Sequence, residues 1–169
     1  MHPLVKLAKD TVELYIREGK VLEVTDQDLP QELKEQAGVF VCLKIHSMLR
    51  GCIGTFQSTE PTVAHETVRN AISAATCDPR FPCIRPEELD GIEYTVDVLT
   101  PPEKVSGTSE LDPKRYGVIV QSGRQRGLLL PDLEGVDTVE YQVSIAMQKA
   151  GIPAGAPLTL SRFEVKRYT

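Results

Sequence analysis

Two pairs of extended segments, each joined by a short turn, most constrain the fold of this chain. The first pair is VFVCLKI (39–45) with LRGCIGTF (49–56), and the second is YGVIVQS (116–122) with RGLLLP (126–131). Each pair predicts a β-hairpin, because short apolar or alternating runs are bounded by turn residues. A sheet assembled from hairpins is mainly antiparallel.

Helical patterns separate these hairpins. Helices are predicted over 3–18, between Pro61 and Pro79, and over 138–150, with a short polar helix at 28–38; further strands are predicted at 91–99 and 158–165. Because strict β-α-β alternation is missing, the pattern favours an α+β fold, a mainly antiparallel sheet flanked by helices. No internal repeat is evident. We expect one domain over residues 1–169, with 19–38 as the candidate small subdomain.

The composition sets limits on function. With 169 residues, 41% hydrophobic and 25% charged, the chain is typical of one globular domain. Its net charge of −5 disfavours nucleic acid as a partner. No apolar run is long enough to span a bilayer and no secretory leader pattern is present, so a cytoplasmic protein is expected.

The cysteines at 42, 52, 77 and 83 contain no C-x-x-C pair, so a metal site is not expected. In a reducing compartment, free thiols are the default for all four. Most free cysteines in proteins are small buried apolar residues, and this ordinary role competes with any reactive one.

The hallmark of the chain is LRGCIG (49–54), which places two glycines inside a strand pattern. Glycine weakens a strand, so either another backbone packs closely there or a ligand fits against that face. The register of this hairpin stays open. A three-residue loop places Cys42 opposite Cys52, whereas a two-residue turn at His46–Ser47 places Val41 opposite Cys52 and Leu43 opposite Arg50.

Three features of one local unit suggest chemistry: Arg50 with Cys52, His65 on the following helix, and the turn DPRF (78–81). A thiol near a cation has a lowered pKa and is more nucleophilic. We therefore consider Cys52 a candidate nucleophile, Arg50 its activating cation and His65 a candidate base. A histidine on a helix face is more often a satisfied structural residue than a catalytic one.

The second arginine of this unit has two interpretations as well. Arg80, fixed between a proline and an aromatic residue, is suited to bidentate binding of a carboxylate or phosphate. Alternatively it forms a salt bridge with Asp78 or a nearby glutamate. Under the first interpretation Gly51 and Gly54 leave room for a ligand, so Arg50, Gly51, Gly54, Asp78 and Arg80 are the candidate ligand-binding residues.

A resemblance to a known family rests on several of these motifs. LRGCIG and DPRF, together with PCIRPEEL (82–89), VLTPPEKV (98–105), YGVIV…GLLLP (116–131) and QKAGIP (148–153), resemble the AMMECR domain family in the same order. The resemblance covers roughly residues 3–165. It implies an α+β fold with two unequal subdomains, and relatives encoded beside or fused to a Memo-type domain and a radical SAM protein.

The resemblance supplies no established reaction and indicates no cofactor. We therefore hold two hypotheses of different classes. In the first, LRGCIG forms a pocket that binds a small anionic molecule or a modified cofactor, with Cys52 as a reactive thiol. In the second, the chain is a non-catalytic binding or adaptor module for a Memo-type or radical SAM partner protein.

Overall fold

The computed structural model describes the backbone of residues 1–169 and every side chain except that of Asp28. The α-helices are α1 (Pro3–Glu18), α2 (Val63–Thr76) and α3 (Val139–Ala150). The strands are β1 (Val39–Ile45), β2 (Met48–Thr55), β3 (Ile92–Leu99), β4 (Glu103–Val105), β5 (Gly117–Ser122), β6 (Gln125–Leu129), β7 (Thr159–Phe163) and β8 (Val165–Tyr168). The predicted α+β class with antiparallel sheets is confirmed.

The chain divides into two compact units. Unit 1 comprises Met1–Leu99 with Lys166–Thr169, and unit 2 comprises Thr100–Val165. The boundary therefore does not set apart residues 19–38, which belong to unit 1. That segment contains single 3₁₀ turns at Asp26–Asp28 and Gln31–Leu33 instead of the expected polar helix.

Each unit has its own sheet and apolar core. The sheet of unit 1 has the strand order β2-β1-β3-β8, and that of unit 2 has the order β4-β7-β5-β6. In unit 1 the inward side chains of β1 (Val39, Val41 and Leu43) are fully buried against residues of α1 and α2. This alternation follows from the period of two in a strand, which leaves Phe40 and Cys42 on the opposite face.

The two units share one topology that the sequence did not reveal. In each, a hairpin is followed by a helix and then by a strand that pairs antiparallel with the first hairpin strand, giving β1-β2-α2-β3 and β5-β6-α3-β7. A Cβ atom at Gly51 would meet the Ala74 carbonyl oxygen of α2, and one at Gly127 would meet the Ala146 carbonyl of α3. In both units a glycine of the second hairpin strand therefore allows the helix backbone to pack closely on the hairpin. The chain contains an internal structural repeat.

The register of the first hairpin combines both alternatives left open by the sequence. Its turn has two residues, since Ile45 pairs with Met48, yet Cys42 lies opposite Cys52. A β-bulge between Leu43 and Lys44 reconciles the two, because Arg50 is the extra residue of β2. Bulges redirect a side chain at the point where they interrupt a ladder.

Candidate functional site

LRGCIG and DPRF meet at the free edge of the unit 1 sheet. Cys42 and Cys52 have Cα atoms 4.1 Å apart, which is the close spacing of a non-hydrogen-bonded antiparallel pair. The N–H and C=O of Cys52 therefore point away from β1, and β2 is an edge strand. The N–H donates to Asp78 Oδ2 at 2.9 Å, and Arg80 Nη2 donates to the C=O at 3.2 Å. The DPRF turn thus supplies the hydrogen-bond partners that a neighbouring strand would supply.

Asp78 and Arg80 form a bidentate ion pair. The guanidinium Nε donates to Oδ1 at 3.0 Å and Nη2 donates to Oδ2 at 2.8 Å. The Asp78 side chain is 2% exposed and that of Arg80 is 55% exposed. The hydrogen bonds from Arg80, helped by those from the backbone of Cys52 and Arg80 itself, hold the pKa of Asp78 well below its ordinary value despite burial. The salt-bridge interpretation of Arg80 is the one the geometry favours.

Arg50 is also engaged within unit 1. Its guanidinium donates to both carboxylate oxygens of Glu88, at 2.8 and 3.0 Å, and to the carbonyl oxygens of Pro82 at 2.8 Å and Cys83 at 3.3 Å. The hydrogen bonds from Arg50 to Glu88, helped by the one from the Arg85 backbone, hold the pKa of Glu88 below its ordinary value. Arg50 therefore anchors the segment that follows DPRF, and its guanidinium already has a carboxylate partner. Glu88 was not singled out from the sequence, although it lies within PCIRPEEL.

The space expected beside the two glycines is filled by protein. A Cβ atom at Gly51 would lie 2.2 Å from the Ala74 carbonyl oxygen, and one at Gly54 would lie 2.2 Å from the ring of Phe40 on β1. The expectation that Gly51 and Gly54 leave room for a ligand is wrong in these directions. Gly51 permits close approach of a helix backbone, and Gly54 accommodates an aromatic ring across the strand pair.

The cysteines fall into two classes. Cys42 and Cys52 are joined by a disulfide, whereas Cys77 and Cys83 are free and exposed. The expectation of a free thiol at Cys52 is therefore wrong for this state of the protein, because the bulge brings its side chain directly opposite that of Cys42. Both bonded cysteines are half-buried rather than sealed in the core.

His65 lies elsewhere in unit 1. Its Nδ1 is 2.8 Å from Thr62 Oγ1, the cap of α2, and 3.9 Å from Asp26 Oδ1. The structure brings together Arg50, Cys52, Asp78 and Arg80, but none of these contacts His65. The histidine instead lines a groove of about 640 Å³.

This groove, which we call the α2 groove, was not expected from the sequence. One wall is formed by residues 21–24, which lie outside helix and strand, and the other is a stripe of α2 with helical spacing: His65, Val68, Arg69 and Ile72. Its volume lies within the range of known ligand sites. The sequence of 21–24, Val-Leu-Glu-Val, gives no clear periodicity, and it is the structure that makes Leu22 and Val24 half-buried and their neighbours exposed.

A buried carboxylate fixes the rim of the α2 groove. Glu66 is 0% exposed, and its oxygens accept hydrogen bonds from the hydroxyls of Thr55 and Thr59 and from the backbone N–H groups of Thr59 and Glu60. Burial would raise the pKa of Glu66, but these hydrogen bonds outweigh it and the pKa is lowered. Glu60, which lines the groove and pairs with Arg69, is thereby held in place.

Acid should weaken unit 1 through these carboxylates. The pKa values of Asp78, Glu88 and Glu66 are lowered in the folded protein from ordinary values of 3.8 to 4.5. Their contribution is complete above the unfolded-state pKa and is lost as the pH falls through the folded-state pKa, so we expect the free energy of unfolding to decline from about pH 5 to about pH 2. Urea denaturation at a series of pH values across this range measures the free energy of unfolding. Asp78→Asn should be less stable at pH 7 and should show a shallower decline; an unchanged slope would contradict the role of Asp78.

Among the described residues, no group of three or more His, Cys, Asp or Glu side chains is arranged to hold a metal ion. Within the same part of the chain, every helix is too short or too polar to cross a membrane.

Comparison with known proteins decides the family. A family model described as AMMECR1 matches residues 5–169. The chain belongs to the AMMECR1 family. This confirms the resemblance carried by LRGCIG and DPRF, and the two motifs of this AMMECR1 domain prove to be contact partners.

Relatives extend the family assignment to the fold. A protein of Thermotoga maritima is 56% identical over 99% of this chain and 97% of its own length. Protein CA_C1420 of Clostridium acetobutylicum is 46% identical over 98% of this chain but only 36% of its own length. The crystal structure of uncharacterized protein PH0010 from Pyrococcus horikoshii matches with a TM-score of 0.89 and 35% identity, covering 97% of this chain and 88% of that one. This chain and PH0010 therefore share the same fold.

Proposed function

We propose that this AMMECR1 protein is a binding module that holds an extended segment of a partner protein in the α2 groove. The observation that carries the proposal is the backbone of residues 20–24. It lies outside every helix and strand, its side chains at 21–24 are alternately exposed and half-buried as in an extended chain, and it makes no hydrogen bond to any part of the chain that the structure describes. An unpaired extended backbone is a template for an added strand.

The opposite wall supports the same occupant. The half-buried Ile72 of α2 offers apolar surface next to the largely covered Val68, so a peptide lying between α2 and residues 20–24 would pair through its main chain and pack alternate side chains on the helix. Glu23 lines the groove and has no ion-pair partner among the described residues. A segment with alternating apolar residues and one basic residue therefore fits best.

The partner class follows the second hypothesis from the sequence. Memo-type and radical SAM proteins, implied by the family resemblance, are the first candidates for a pull-down. The anion-binding thiol site at LRGCIG, with Arg50, Cys52 and His65 as catalytic residues, is less well supported, because Arg50 already has a carboxylate partner and His65 lies apart. Its remaining feature is the half-exposed Arg80 beside Cys52.

A peptide selection tests the binding function. Peptides selected from a random display library on the purified protein should carry alternating apolar residues, and their addition should shift the amide NMR signals of residues 20–24 and of α2. Ile72→Glu should weaken binding by about tenfold or more, because it places a charge on the apolar wall.

Tyr141→Glu is the matched control, since Tyr141 is an exposed apolar residue on α3, outside the groove. It should bind peptide as the wild type does. Peptides whose signals map elsewhere, or equal loss in both variants, would overturn the proposal.

A further inference from the structure

The disulfide of unit 1 has different neighbours on its two sides. Cys52 lies on the edge strand β2, whereas Cys42 lies on β1 between β2 and β3, with Thr95 of β3 as its other neighbour. Thiol–disulfide exchange begins with a thiolate attacking one sulfur from the side opposite the other. An attack on the Cys52 sulfur comes over the DPRF turn, where the Arg80 side chain is 55% exposed, and an attack on the Cys42 sulfur must pass over β3.

The edge beside Cys52 presents positive charge to an incoming group. Asp78 and Arg80 both contact the main chain of Cys52, but the carboxylate is 2% exposed and the guanidinium 55% exposed. An anion approaching from solvent therefore meets the cation first, while the carboxylate lies behind it. The attacking group in exchange is itself an anion, and a second negative group on the same molecule would strengthen the attraction.

We infer that Cys42 and Cys52 form a redox pair that exchanges electrons with anionic low-molecular-weight thiols at the edge of β2. A thiolate attacks Cys52 Sγ, forms a mixed disulfide and releases Cys42 as a thiolate. A second external thiolate attacks the sulfur of the molecule bound to Cys52. The two external molecules leave as one disulfide, and Cys52 is released as a thiolate. Two external thiols are oxidised to one disulfide and the protein disulfide is reduced to two thiols, with two protons conserved. The reverse reaction starts with the Cys52 thiolate attacking an external disulfide.

The test uses a Cys77→Ser/Cys83→Ser background, which leaves only the pair. The native protein is reduced either with 2-mercaptoethanesulfonate, the anionic thiol, or with cysteamine, whose thiolate form is zwitterionic. The cysteines that have been freed are then trapped with a maleimide that shifts the mobility of the protein on a gel. Per unit of thiolate, we expect the anionic thiol to react faster, on the order of tenfold at low salt, with the advantage shrinking at high salt.

Variants assign the roles of the residues. Arg80→Lys should keep the preference and Arg80→Gln should lose it. When Cys42→Ser is added to the background and the protein is treated with the disulfide of 2-mercaptoethanesulfonate, a stable adduct should form at Cys52, visible by mass. When Cys42 is present, the adduct should not accumulate, because Cys42 displaces it.

Two results would overturn the inference. One is a pair that resists both thiols until the protein unfolds, as judged by circular dichroism on the same samples. The other is equal rates for the two thiols with no effect of Arg80→Gln. Neither result bears on peptide binding in the α2 groove, so the two proposals fail independently.

Discussion

Replacing Gly51 with alanine is expected to destabilise unit 1 by about 3 kcal/mol. The new methyl group would lie 2.2 Å from the carbonyl oxygen of Ala74, which is backbone and cannot rotate aside. Helix α2 must then move away from β2. The core residues between them (among them Leu43 and Ala71) lose contact as it does so. Urea denaturation followed by far-ultraviolet circular dichroism measures the loss.

The control for this substitution is Gly107→Ala. A Cβ atom at Gly107 has no neighbour within 4 Å, and its φ of −175° is extended backbone that any residue adopts. This variant should therefore remain within about 0.5 kcal/mol of the wild type. If Gly51→Ala is equally well tolerated, close approach of the helix does not explain the glycine, and the hallmark must be explained by something else.

Glu66→Ala is expected to cost about 3–5 kcal/mol. The substitution removes the acceptor of two backbone N–H groups, those of Thr59 and Glu60, and of three hydroxyls. Glu66→Gln should be intermediate, because the amide keeps one accepting oxygen but turns an N–H₂ donor toward other donors. Hydrogen exchange of the Thr59 and Glu60 amides should accelerate together with the loss of stability.

Gln142→Ala provides a comparison at the corresponding helical position of unit 2. Gln142 is also fully buried, but its amide nitrogen makes a single hydrogen bond, to the Tyr116 carbonyl. Exchange of the Thr59 and Glu60 amides should be unaffected by that change. If Glu66→Ala also leaves their exchange unchanged, the carboxylate does not hold the rim of the α2 groove.

The two motifs LRGCIG and DPRF together form one structural connection between β2 and the segment that follows α2. The edge of β2 at Cys52 needs an acceptor for its N–H and a donor for its C=O, and Asp78 and Arg80 supply them. Arg50, displaced by the bulge, holds the following segment through Glu88. Charged groups on an exposed strand edge also hinder pairing with another chain. The Cys42–Cys52 disulfide lies beside these contacts, and Cys77 and Cys83 of the same region are free thiols.

The sequence by itself determined the local elements and the family. The spacing of apolar residues predicted α1 over 3–18, the two hairpins and the helices that follow them, because periodicity is a property of neighbouring residues. It also placed Arg50, Cys52, His65 and the DPRF turn in one local unit, where connectivity makes convergence easy without requiring it. His65 lies apart from the others in the structure. LRGCIG and DPRF were enough to indicate the AMMECR1 family.

Only the tertiary structure decided what these residues do. The bulge at Arg50 places Cys52 opposite Cys42, although the turn length alone would have separated them. The partner of Arg50 lies 38 residues away and that of the Cys52 N–H lies 26 residues away. The α2 groove likewise joins segments 21–24 and 65–73, which no local pattern relates. Such contacts depend on how whole elements pack in space, and a one-residue change of register is enough to exchange one partner for another.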